Sequence, residues 1–85
     1  MTYAIAYALL AVLAVEAGDR RLAEGHLRTA ERQGRTTARR ERQLVEIAAL
    51  VVSGERDRAR DLSFEHESDF PDDTELLTSL LSARR

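Results

Sequence analysis

The sequence predicts an all-α fold: two stacked helical hairpins followed by a C-terminal capping helix. Three observations predict it. Gly18-Asp19-Arg20 and Gly54-Glu55-Arg56 are the same turn written twice, 36 residues apart. Each is followed at the same offset by alanine, Ala23 and Ala59, and preceded by an apolar run ending Val12-Leu13-Ala14-Val15 or Leu50-Val51-Val52. Phe70-Pro71 then breaks the chain before a last leucine-rich stretch. Self-similarity at a period of about 20–50 residues marks stacked supersecondary units.

The first helix is expected from about residue 3 to 17, in a run dominated by alanine and leucine, both good helix formers. Gly18 ends it, because glycine accepts the left-handed conformation of a helix exit. Asp19 caps a second helix over about 20–33 with the stripe Leu22, Ala23, Leu27 and Ala30 at helical spacing. Gln33-Gly34-Arg35-Thr36 reads as a polar connector. Thr36 or Thr37 is placed to cap a third helix that ends near Ser53, with Leu44, Ile47, Ala48 and Val51 on its apolar face. Arg39, Arg40 and Arg42 crowd its first turns, at the positive end of the helix dipole. The fourth helix is expected over about 56–68, with a weaker stripe of Ala59, Leu62 and His66 and with Phe64 off that face. Proline restricts itself and its predecessor, so the helix stops at Phe70-Pro71. Asp72 with Glu75 three residues on suggests a capping box opening the fifth helix, which carries Leu76, Leu77, Leu80 and Leu81.

Eighty-five residues make one small domain, with hairpins at about 3–33 and 37–68 and a capping helix at about 72–83. Cysteine is absent, which excludes a disulfide framework, a thiol nucleophile and a cysteine-based zinc site. That absence suits a reducing compartment. The net charge is −2, yet the charge is segregated: Arg20 to Arg42 holds eight arginines against three glutamates, and Asp61 to Glu75 holds seven acids and no arginine or lysine. All thirteen strongly basic residues are arginine, as a GC-rich, bacterial coding bias would produce. The stretch from Met1 to Val15 is uncharged, lacks the basic start of a signal peptide, and is shorter than the roughly 20 residues needed to cross a bilayer. A buried helix in a cytoplasmic protein, with no membrane contact, is the expectation.

The glycine turns, the alanine five residues after each, and the proline after the second hairpin resemble the tetratricopeptide repeat (TPR) family. Gly18, Ala23, Leu27 and Ala30 match the first copy, and Gly54, Ala59 and Pro71 the second. The stretch from Thr37 to Gln43, with Glu65-His66 and Phe70-Pro71 further on, is similar to the tetratricopeptide repeat protein thirty-eight group. The resemblance spans nearly the whole chain and has departures. The family period is about 34 residues rather than 36, Arg35 stands where the first copy would carry proline, and Ser63 and His66 occupy positions that are usually apolar or small. The resemblance implies a short right-handed α–α solenoid, a binding scaffold, and no catalytic residues.

No nucleophile–base order, phosphate loop or paired-carboxylate pocket is legible, so no enzyme and no cofactor are expected. His66 lies among Glu65, Glu67 and Asp69, which reads as a solvated acidic helix end rather than a metal site. His26 falls at the rim of the first hairpin's core.

The leading expectation is a protein-interaction module. Its groove would lie on the first helix of each pair and present Arg39, Arg42, Gln43 and Glu46 to an acidic protein or peptide partner. A second expectation is self-association as a homodimer. The first helix is apolar all round, and its outer side, with candidates Tyr3, Tyr7, Leu10 and Ala14, would be left in water. A third, weaker expectation is phosphate contact with nucleic acid through the arginines of the second and third helices.

Overall fold

The computed structural model describes residues 3–34 and 38–82, and every regular element among them is helical. Five α-helices follow in order: α1 Tyr3–Glu16, α2 Arg20–Gly34, α3 Arg39–Val52, α4 Arg56–Asp69 and α5 Thr74–Leu81, with a 3-10 turn at Pro71–Asp73 before α5. The proposed caps at Thr36 and Thr37 and the connector residue Arg35 lie outside the described residues.

The two glycine turns share one pattern of backbone hydrogen bonds. Gly18 and Gly54 have φ of +85° and +84°. In the first turn the Gly18 amide donates to Val15 O at 2.9 Å and the Asp19 amide to Ala14 O at 2.8 Å. In the second, the Gly54 amide donates to Val51 O at 3.1 Å and the Glu55 amide to Leu50 O at 2.9 Å. This is the paired closure of a Schellman motif, which needs a left-handed residue at the glycine position. Asp19 then caps α2 by accepting the Leu22 amide at 3.0 Å.

Each turn sends the chain back along the helix it has left. α1 packs on α2 and α3, α2 on α3, α3 on α4 and α5, and α1 also reaches α5. Alanines at the crossings are fully buried, among them Ala8, Ala11, Ala23, Ala30, Ala48 and Ala59, so helix axes approach closely. Ile5, Val12, Leu44, Ile47 and Leu80 fill the main core between α1, α3 and α5. A second cluster of Ala11, Ala14, Val15, Ala23 and Val52 closes the end beside the first glycine turn, with Leu27 against both.

Two local expectations need correction. Leu22 is exposed rather than part of the α2 stripe. Five residues along a helix turn it about 140° from Leu27, while Ala23, Leu27 and Ala30 face inward. The Asp72 capping box does not form. Pro71 opens the 3-10 turn, α5 starts at Thr74, and its N-cap is Asp73 without a side-chain cap bond. The Asp73 carboxylate is drawn elsewhere, to His66 and Arg40.

Among the described residues no helix is long and apolar enough to cross a membrane.

Candidate functional site

The outer side of α1 is the principal candidate surface. Tyr3, Leu10 and Leu13 are 75%, 42% and 58% exposed. With the half-buried Ala6 and the exposed Ala17 they make a 3-4-3-4 row along one side of the helix. No charged side chain interrupts α1 before Glu16. The opposite side, with Ala4, Ile5, Ala8, Ala11, Val12 and Val15, is buried.

Of the residues expected on this face, the structure places Tyr3 and Leu10 there and Ala14 elsewhere. Ala14 is 6% exposed and packs in the cluster with Ala23 and Val52. It sits one turn before Gly18, where α2 returns across α1. Tyr7 is half-buried on the same flank, its ring 5.8 Å from that of His26 on α2. The exposed row is therefore rotated away from α2, and Leu13, which sequence reasoning did not single out, replaces Ala14.

The α3 residues expected to line a peptide groove are distributed differently. The Arg39 guanidinium pairs with Asp69 and lies over the Phe70 ring, 5.5 Å from its centroid. Gln43 is turned toward α4, where its side-chain oxygen contacts His66 Nδ1 at 2.8 Å. Glu46 and Arg42 are exposed. Arg39 and Gln43 thus already hold α4 and the segment behind it. On α2, Arg21, Arg28 and Arg32 are exposed on the side away from the core.

The residues that do converge form a buried polar cluster that sequence reasoning missed. His66 is 0% exposed, in keeping with its place on the α4 stripe and against its reading as part of a solvated acidic end. Successive helix residues turn about 100°, so Glu65 and Glu67 diverge from it while Ala59, Ser63 and His66 share one inward side. The Ser63 hydroxyl donates to Ala59 O at 2.8 Å. His66 Nε2 lies 2.7 Å from Asp73 Oδ2, and Phe70 covers the ring at 4.7 Å between centroids. Arg40 grips the same carboxylate with a fork, Nε to Oδ2 at 2.8 Å and NH2 to Oδ1 at 2.7 Å, and reaches Glu41 at 3.2 Å. The hydrogen bond from Arg40 holds the Asp73 carboxyl below the usual carboxylate range, against the opposing effect of burial. Asp73 in turn raises the affinity of the Arg40 guanidinium for its proton.

An ionised carboxylate only accepts, so His66 Nε2 is the donor in its bond to Asp73. The Gln43 amide can present its oxygen or its NH2, so Nδ1 is satisfied whether or not it carries a proton. With both nitrogens occupied and the ring enclosed, His66 is not positioned to meet a solute. Among the described residues no buried side-chain nitrogen or oxygen lacks a partner, and no three acidic or histidine side chains gather as metal ligands. The cluster ties α3, α4 and the start of α5 together, and it offsets the arginines that crowd the α3 N-terminus. In comparisons with known proteins, no family model, no curated protein and no solved structure matches this chain.

Proposed function

We propose that this chain is a non-catalytic, TPR-like protein-interaction module that docks a partner through the outer side of α1. One observation carries the reading: an uncharged helix exposes Tyr3, Leu10 and Leu13 in a single row. Contiguous exposed apolar surface of this kind marks protein contact sites. Each leucine-sized side chain removed from water there contributes roughly 1.5–3 kcal/mol. The repeated Schellman turns and the packing of α2 and α1 on α3 support the stacked-hairpin part of the reading. So does the use of His66, Asp73 and Arg40 as internal struts rather than as reactive groups.

Hydroxyl-radical footprinting of dilute protein tests it. Tyr3, Leu10 and Leu13 are expected to oxidise readily, like exposed Phe64, while Ile5 and Val12 stay protected. Protection of Leu13 equal to that of Val12 would mean that the chain covers this face itself, and the reading would fall.

A further inference from the structure

We infer that the occupant of the α1 face is the same face of a second copy, paired antiparallel about a twofold axis at Leu10. The inference rests on the docking role given to α1 above and names its partner.

The chemistry of the face selects such a partner. It carries no charge from Tyr3 to Val15, so any charged group brought against it would lose water and gain no counter-charge. A matching surface must be uncharged as well. Among the described residues the other large exposed apolar side chains are Leu22 on α2 and Phe64 on α4, each alone on its helix. The row that matches α1 is therefore α1 itself.

Side-chain volume selects the direction. With Leu10 facing the partner's Leu10, an antiparallel pair sets Tyr3 near the partner's Ala17 and Leu13 near the partner's Ala6, and symmetry repeats both contacts. Large meets small at each end, and leucine meets leucine at the centre. A parallel pair would set tyrosine on tyrosine and alanine on alanine, crowding one level and leaving a void at the next. The 3-4-3-4 spacing is that of a helix-pair seam, and antiparallel helices oppose their dipoles favourably.

Area sets the strength. A helix of 14 residues is about 21 Å long, and one exposed side of it offers on the order of 300–400 Å². That is about half of the roughly 800 Å² per partner of a standard interface. The dimer is therefore reversible and concentration-dependent.

Single cysteines report the register, because the natural chain has none. On mild oxidation Leu10→Cys is expected to form a disulfide dimer with itself, and Tyr3→Cys to cross-link with Ala17→Cys in preference to itself. Sedimentation equilibrium of the unmodified chain from about 10 μM to about 1 mM should show mass rising toward two chains. Leu13→Arg, at an exposed position, should raise the dissociation constant more than tenfold with the helical circular dichroism unchanged. Preferential Tyr3→Cys self-linking would overturn the antiparallel pair. A single-chain mass at the highest concentration would overturn the second copy altogether. If the footprint of dilute protein still shows Leu10 and Leu13 open, that result leaves α1 a docking face for another protein; if it shows them closed, both readings fail.

Discussion

His66 Nε2 lies 2.7 Å from Asp73 Oδ2, and this bond joins the last turn of α4 to the N-cap residue of α5. The same carboxylate takes the Arg40 fork from α3, so three helices meet on one side chain. Asp73 is almost wholly buried. Removing it leaves His66 Nε2 buried without an acceptor and leaves the half-buried Arg40 with Glu41 alone. Asp73→Ala is therefore expected to cost about 1–3 kcal/mol. Asp69→Ala, which frees only the exposed Arg39, should cost less than about 1 kcal/mol. Urea denaturation of both variants checks this, and equal losses would deny Asp73 its special place.

The same cluster gives the stability an acid limb. Because Arg40 holds the Asp73 carboxyl below its ordinary range, the folded state binds that proton less tightly than the unfolded state. Its contribution is fully present above the ordinary carboxylate range and is lost as pH falls through and below it. Urea midpoints from about pH 7 down to about pH 3 should thus fall less steeply for Asp73→Asn than for the natural chain. Parallel curves would mean that the cluster does not couple to folding.

The glycine turns separate conformational from steric cost. A Cβ at Gly18 or Gly54 would meet nothing within 4 Å, yet both residues have positive φ. Alanine at either position should cost about 1–2 kcal/mol, with asparagine costing less. Gly25 lies inside α2 without that constraint, and a Cβ there would meet only the Arg28 side chain at 4.0 Å. Gly25→Ala is expected to stabilise by about 0.5–1 kcal/mol. Thermal melts of the three alanine variants should show these opposite signs.

Ala23 and Ala59 stand at equivalent places after the two turns, and both are fully buried. Leucine at either has no space without parting a helix pair, so each variant should lose about 1–3 kcal/mol. Leu22→Ala, one residue away but exposed, should change stability by less than about 0.5 kcal/mol. Denaturant midpoints distinguish the neighbours.

What was legible in the sequence follows from how local each signal is. A Schellman exit needs its glycine, so Gly18, Gly54 and the helices on either side could be read directly. The alanines after them were legible because close crossing admits little else. The orientation of α1 was not, since a helix apolar on every side has no periodic pattern to reveal which side faces out. That is decided by where α2 returns, which buries Ala14 and leaves Leu13 in water. The place of His66 on the inward stripe of α4 with Ala59 was legible from helical spacing, but its partners were not: acids at 65, 67 and 69 suggest solvent, and the carboxylate that makes its burial tolerable lies seven residues on, across a proline turn.

Self-docking through α1 is most directly tested by the solution mass of the natural chain and of Leu13→Arg, measured by light scattering on size-exclusion chromatography at matched high concentration. The natural chain should exceed the mass of one chain and approach two as concentration rises, while Leu13→Arg stays at one. Equal masses for the two proteins at every concentration would contradict a self-docking surface on α1.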